Sequence, residues 1–148
     1  RSSLFPYNLV ESKTGLGGQA ISKVITFSSP VNGIPYYIVV KHRNSIETWS
    51  SGTQVFSSNT MSYNFTTAST QAYGNNMINS GGSWSFYTGD VDQNGFVNLN
   101  DITIINNNAN VFATGYLVSD LNGNNVTDLN DVILASNNSG SFVSVIRP

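Results

Sequence analysis

Two stretches of the chain, residues 90–101 (DVDQNGFVNLND) and residues 120–131 (DLNGNNVTDLND), repeat one pattern of oxygen-bearing side chains at an offset of 30 positions. The similarity continues beyond them, because Ile102 aligns with Val132 and Phe112 aligns with Phe142. A repeat at a fixed offset predicts two structurally equivalent units. These units determine the architecture predicted for residues 89–148.

Each stretch places oxygen donors at its positions 1, 3, 5, 9 and 12, as loops that surround a hard divalent cation do. Position 7 normally contributes a backbone carbonyl, and position 6 turns sharply. Gly95 and Asn125 occupy position 6, and both tolerate the left-handed backbone. The pattern predicts two Ca²⁺ ions, since Mg²⁺ needs stricter octahedral geometry. The predicted ligands are Asp90, Asp92, Asn94, Phe96, Asn98 and Asp101 in loop 1, and Asp120, Asn122, Asn124, Val126, Asp128 and Asp131 in loop 2.

The distribution of acidic residues favours a metal site over ordinary turns. The chain has 8 acidic residues, and all of them lie in the two loops except Glu11 and Glu47. A single string of Asp and Asn would be equally consistent with a turn that binds no metal. Two copies in register, each followed by an apolar helical pattern, favour the metal.

The residues after each loop show helical spacing. Leu99, Ile102 and Ile105 fall on one face of the first predicted helix. Asn98 is placed to cap its N-terminus, and Asp101 lies near its positive end. In the second unit, Leu129, Val132 and Ile133 are predicted to share one face, with Asp128 as the cap and Asp131 near the positive end. One set of residues therefore serves both the metal loop and the start of the helix.

Residues 1–88 are predicted to be mostly β. Residues 36–40 indicate a buried central strand, residues 61–65 a half-buried strand, and Asn44-Ser45 a hairpin turn. Several short strands with Gly, Pro, Ser and Asn between them predict a sandwich-like module or a partly open barrel. Residues 4–10 are predicted to be the first strand or, alternatively, an apolar N-terminal arm that adds a strand to a neighbour.

The composition excludes several classes of protein. Without cysteine the chain forms no disulfide and no Cys-based zinc site. A net charge of −2 argues against nucleic-acid binding, and no apolar run is long enough for membrane insertion. His42 is the only histidine, and every Asp belongs to a metal loop. We therefore expect no enzyme and no catalytic residues.

The two loops resemble dockerin-type repeats, the paired loop–helix relatives of the EF-hand in secreted bacterial proteins. As in dockerins, no helix precedes each loop, and position 12 is Asp rather than Glu. The resemblance implies metal ligands at the positions given above and an extracellular or cell-surface location. Because all six Asp lie after Gly89, we expect a domain boundary there, with a β-rich module at 1–88 and a small α dockerin-like pair at 89–148.

Dockerins bind a cohesin partner through loop positions 10 and 11 and basic residues of the following helix. Those positions are Leu99-Asn100 and Leu129-Asn130 here, and no Lys or Arg follows in either helix. The first expectation is therefore an extracellular structural module that works through protein contacts, with copies of itself as the partner in a fibre or surface layer. The alternatives are a dockerin with a cohesin-like partner and a carbohydrate-binding module that uses Trp49 or Trp84.

Overall fold

The computed structural model describes Phe27 and residues 31–148, which form a small mixed fold. Single 3-10 turns cover Ser69–Gln71 and Tyr73–Asn75. The predicted segment at residues 4–10 lies outside the described residues. The strands are β1 (Pro35–Tyr36), β2 (Val39–His42), β3 (Ser45–Trp49), β4 (Gln54–Val55), β5 (Ile78–Ser80) and β6 (Ser83–Ser85), and the helices are α1 (Leu99–Ala109) and α2 (Leu129–Gly140).

The strands form three separate pairs, β1 with β4, β2 with β3, and β5 with β6. The first and third pairs are antiparallel, with Pro35 opposite Val55 and Asn79 opposite Trp84. The hairpin predicted at Asn44-Ser45 is confirmed as the β2–β3 pair. Within the part of the chain that the structure describes, no pair joins another into the larger sheet of a sandwich.

Two strand predictions were wrong. Residues 36–40 do not form one strand, because the amide of Ile38 donates to the Ser50 hydroxyl at 3.0 Å instead of to a neighbouring strand. Residues 61–65 form no strand. The Tyr63 hydroxyl there donates to the carbonyl of Gln71 at 2.5 Å, and the side chain of Asn64 accepts from the amide of Thr66 at 2.8 Å. The short-range bond of Asn64 competes with strand pairing, and the bond of Tyr63 holds the segment against Gln71.

The chain divides into two compact units that interleave along the sequence. Of the described residues, unit 1 contains those up to Val40, Thr48–Ser85 and Ile146–Pro148, and unit 2 contains Lys41–Glu47 and Phe86–Val145. The sequence predicted a single boundary at residue 89. The tip of the β2–β3 hairpin therefore belongs to the same unit as both loops and both helices.

An aromatic cluster lies in unit 1. The Phe56 ring meets those of Phe27 and Tyr36 edge-to-face, with centroids 5.9 and 6.0 Å apart. Such edge-to-face pairs contribute stability beyond the apolar area that they bury. Tyr36 and Phe56 are both buried.

The core of unit 2 is built from equivalent positions of the two repeats. It contains Val91, Ile105, Leu121 and Ala135, with Ile102 and Val132 packed against them. A second cluster contains Ile46, Val97 and Val143. Leu99 and Leu129 do not join either cluster, since they are 73% and 67% exposed at the first helical position. Helical spacing predicted Ile102, Ile105 and Val132 correctly. It was wrong at Leu99 and Leu129, and at Ile133, which is 47% exposed and belongs to neither cluster.

Candidate metal centre

Each helix begins with a capping box built from the loop's own residues. The Asn98 side chain accepts from the amide of Asn100 at 2.8 Å, and Asp101 Oδ2 accepts from the amide of Asn98 at 3.0 Å. In the second unit Asp128 and Asp131 make the same pair of bonds, at 2.7 and 2.9 Å. The predicted caps are confirmed. They hold positions 9 and 12 of each loop at the positive end of a helix.

The carboxylate at position 12 also closes the loop. Asp101 Oδ1 accepts from the amides of Val91 and Asp92 at 2.8 and 3.2 Å. Asp131 Oδ1 accepts from the amides of residues 121 and 122 at 2.8 and 3.1 Å. Both carboxylates are fully buried. One side chain in each unit therefore ties the beginning of the loop to the helix.

The turn inside each loop is left-handed, as predicted. Gly95 has φ 89° and Asn125 has φ 74°. Their amides donate to Oδ2 of Asp90 at 3.1 Å and of Asp120 at 3.0 Å. The side chains at positions 3 and 5 accept from the amide two residues ahead in both loops, at 2.9 or 3.0 Å. The two loops are therefore structurally equivalent over most of their length.

In loop 1 three carboxylates converge. One oxygen from each of Asp90, Asp92 and Asp101 lies within 4.8 Å of the others. Asp90 is 2% exposed, and its Oδ1 is buried with no hydrogen-bond partner among the described residues. A buried acceptor without a partner costs free energy. This cluster, in which Asp90 and Asp101 are buried and Asp92 is exposed, could hold a metal ion that would satisfy this oxygen.

The electrostatics of the cluster favour a cation. Burial raises the pKa of the Asp90 carboxyl to about 6, against the lowering effect of the hydrogen bond from Gly95. The negative charges of Asp101 and Asp92 raise this pKa further. A cation among the three carboxylates would reverse these charge effects and favour the ionised form.

Loop 2 differs from loop 1 at its first residue. Asp120 Oδ1 accepts from the amide of Gly123 at 2.7 Å, so both of its carboxylate oxygens have partners. Position 3 is Asn122 instead of Asp92, and the third carboxylate belongs to Asp128 at position 9. Among the described residues, the close group of three carboxylates is found in loop 1.

The predicted carbonyl ligands lie where each loop pairs with another segment. Phe96 forms an antiparallel bridge with Ser144, and Val126 forms one with Thr114. Each partner follows the helix of the other repeat. The two bridges are related by the same offset of 30 residues as the loops.

The hairpin turn at residues 43–45 contacts both loops, which the sequence did not predict. Asn44 Nδ2 donates to the carbonyl of Asp120 at 2.9 Å, and the carbonyl of Asn44 accepts from the amide of Gly89 at 2.6 Å. More than 40 residues of sequence separate Asn44 from loop 1, so no local pattern predicts this contact. The sequence indicated only that a turn lies at Asn44-Ser45. This turn is therefore a structural part of unit 2, which contains both loops.

Residues considered for other chemistry lie elsewhere. His42 Nδ1 is 3.3 Å from the Ser45 hydroxyl, and Glu47 forms an ion pair with Lys41 at 2.8 Å. The only acidic side chain near His42 in sequence is thus paired with a lysine. Trp49 is half-buried, with its ring edge-to-face against Tyr37 at 5.8 Å, and Trp84 is also half-buried.

Comparison with known proteins identified no relatives. No family model matches the chain, and neither a curated protein nor a solved structure matches it. None of the helices in the described part of the chain combines the length and apolar character needed to cross a membrane.

Proposed function

We propose that this chain is an extracellular structural module that binds two Ca²⁺ ions, with the dockerin-like loop–helix pair as its metal-binding part. The observation that carries the proposal is the Oδ1 of Asp90, which is buried without a hydrogen-bond partner among the described residues. It belongs to a group of three carboxylates whose oxygens lie within 4.8 Å of one another.

The donor set favours calcium. Both loops offer carboxylate, amide and backbone carbonyl oxygens, and neither contains His or Cys. Calcium takes six to eight such oxygens in a flexible arrangement, whereas soft ligands select zinc and copper. The proposed ligands are the twelve residues that the sequence predicted. Loop 2 is included because its residues repeat the hydrogen bonds of loop 1 at positions 3, 5, 9 and 12.

The proposed role of the metal is structural. A cation at loop 1 neutralises the buried carboxylates of Asp90 and Asp101. Asp101 is also part of the α1 capping box and closes the loop, so the ion stabilises the start of the helix. The proposal includes no catalytic residue, since His42 lies beside Arg43 and Ser45 and the nearby Glu47 is paired with Lys41.

The proposed partner is a protein surface, in the first instance another copy of this chain. Large apolar side chains are exposed throughout unit 2, and Phe142 reaches 90%. Burying such groups drives association. Those at least half exposed are Phe96, Leu99, Val111, Phe112, Tyr116, Leu129 and Phe142. A cohesin-like partner is the alternative, although α1 and α2 carry no basic residue.

A thermal melt of the chain in millimolar CaCl₂, in MgCl₂ and in excess EDTA tests the metal. A ligand that binds only the folded state stabilises it by about 2.7 kcal/mol at 100 times its Kd. We expect calcium to raise the midpoint well above that in EDTA, and magnesium to raise it less. Equal midpoints in calcium and EDTA, in protein shown to be metal-free by elemental analysis, would refute the calcium proposal.

Light scattering on the same samples tests self-association. We expect larger particles in calcium, and Phe142→Ser should reduce their size without lowering the melting midpoint, because this side chain is exposed. Asn79→Ala, on the exposed strand β5, is the control variant. A monodisperse monomer at millimolar calcium would refute assembly and leave the metal proposal standing.

A further inference from the structure

We propose that the hairpin turn at residues 43–45 couples the two calcium loops, with Asn44 as the positioning residue. This inference rests on the proposed function and extends it, since it makes the two ions bind cooperatively. All residues involved belong to unit 2.

Asn44 bonds to the first residue of one loop and to the residue before the other. Its side-chain Nδ2 donates to the carbonyl of Asp120 at 2.9 Å. Its own carbonyl accepts from the amide of Gly89 at 2.6 Å, and Gly89 directly precedes Asp90. Asn44, Asp90 and Asp120 are all at most 2% exposed. One buried residue therefore sets the positions of both first ligands.

Neighbouring side chains reinforce this bridge on both sides. On the side of loop 2, Arg43 Nε donates to the carbonyl of Leu117 at 3.1 Å, and its Nη2 donates to that of Asp120 at 3.4 Å. The Arg43 guanidinium also lies over the Tyr116 ring, 4.0 Å from its centroid. On the side of loop 1, Gln93 Nε2 is shared between the carbonyl of Asp90, at 2.6 Å, and that of Ser45, at 3.4 Å.

Hydrogen bonds of this kind transmit order between the loops. An ion in loop 1 fixes the segment around Asp90, and with it Gly89 and the turn at Asn44. The turn then holds the carbonyl of Asp120 in place before the second ion arrives. The second ion consequently has less backbone to order, so it binds more tightly than it would to an empty chain. Such coupling between two binding sites is reciprocal, so either ion strengthens the binding of the other. The two repeats also share an apolar core, so a variant at Asn44 is needed to isolate the contribution of the turn.

The Asn44 side chain also carries a cost in folding free energy, which is consistent with a positioning role. Its Oδ1 is buried without a hydrogen-bond partner among the described residues. Burying an unpaired amide oxygen is unfavourable, and the bonds made by its Nδ2 and its backbone offset that cost. Removing the side chain should therefore change the link between the loops more than it changes overall stability.

Calcium titration of the full chain by calorimetry tests the coupling. Asp92→Ala disables loop 1 through an exposed side chain, so the remaining binding event reports loop 2. We expect its Kd to be at least about fivefold weaker than that of the corresponding event in the intact chain. In the Asn44→Ala background, the same comparison should give a clearly smaller ratio, because the shared apolar core remains but the side-chain bond to Asp120 is lost. Melts in EDTA establish that each variant is folded.

Two further variants keep the test decisive. Asn79→Ala removes a side-chain acceptor that holds the amide of Gly82 at 3.2 Å in the β5–β6 hairpin, and it should leave the ratio unchanged. If Asn44→Ala does not fold, Gln93→Ala is the alternative variant. It removes the exposed side chain that links the carbonyl of Asp90 to that of Ser45, and it should lower the ratio. A ratio that is the same with and without the Asn44→Ala substitution overturns the coupling. Absence of calcium binding in the unmodified chain overturns the proposed function instead.

Discussion

The amide of Val97 donates a hydrogen bond of 2.9 Å to the carbonyl of Val143, which joins loop 1 to the segment that follows α2. The equivalent bond of the second repeat runs from Thr127 to Ala113 at 2.8 Å, and joins loop 2 to the segment that follows α1. Each loop is therefore completed by the other repeat. The two loops are parts of one interlocked unit rather than independent modules.

This interlocking predicts that a change outside the two loops destabilises the unit. Val143 is 7% exposed and packs with Ile46 and Val97. Val143→Ala should lower the free energy of unfolding by about 2 kcal/mol, because it leaves a cavity in that cluster. Val111→Ala, at a site 72% exposed, should change it by less than about 0.5 kcal/mol. Urea unfolding in EDTA measures both, and equal effects would contradict the packing.

Substitutions at Asp101 and Asp92 should distinguish a structural role of a loop carboxylate from a role in metal binding. Asp101 is fully buried and accepts three backbone amides, so Asp101→Ala leaves those donors without partners. We expect a loss of about 3 kcal/mol in the free energy of unfolding, even without metal. Asp92→Ala, at an exposed site, should cost less than about 1 kcal/mol without metal.

Both variants should weaken calcium binding at loop 1. Urea unfolding in EDTA, followed by calcium titration of each variant, gives the two quantities separately. If Asp92→Ala were as destabilising as Asp101→Ala in EDTA, the assignment of the hydrogen bonds to a structural role would be wrong. Unchanged calcium affinity in Asp92→Ala would remove that residue from the ligand set.

The raised pKa of Asp90 predicts opposite pH trends with and without metal. In the folded protein burial raises this pKa from 3.8 to about 6. Without metal, the protonated carboxyl therefore favours folding below pH 3.8, and this contribution is lost as the pH rises through about 6. Calcium needs the ionised form, so calcium affinity should fall as the pH drops below about 6.

Calorimetric titration at several pH values, in buffers of different ionisation enthalpy, detects the protons that calcium releases. Asp90→Asn is the matched variant, because it keeps the size of the side chain and an acceptor for the amide of Gly95. It should bind calcium weakly and lose proton release at loop 1. Proton release that persisted in this variant would assign the titration to another group.

Exchanging the residues at position 6 of the two loops should change the stability of the protein by different amounts in loop 1 and loop 2. Asn125 has φ 74°, a conformation that glycine adopts without strain, so Asn125→Gly should be neutral or stabilise by up to about 1 kcal/mol. At Gly95 an added Cβ would lie 3.0 Å from Val145 Cγ1, so Gly95→Asn should destabilise by about 1 kcal/mol or more. Thermal melts compare the two, and equal shifts would show that Val145 moves aside.

The local features of unit 2 could be predicted from its amino-acid sequence. The capping boxes at Asn98 and Asp128, the helices after them and the left-handed turn at Asn125 depend on neighbours within a few positions. The same local reasoning was misleading at residues 61–65, where an alternating pattern predicted a strand. The hydroxyl of Tyr63 bonds to Gln71 there, and this contact is invisible to periodicity.

The sequence by itself determined the repeat, its loop–helix order and the residues available to bind a metal, because each rests on short-range spacing. Only the tertiary structure decided that Asp90 keeps an unpartnered buried oxygen while Asp120 does not, and that Leu99 stays exposed. It also decided that Asn44, from a distant hairpin, joins both loops. These outcomes depend on which distant groups meet in the folded chain, and the hydrogen bonds and burial that result have no signature in local sequence.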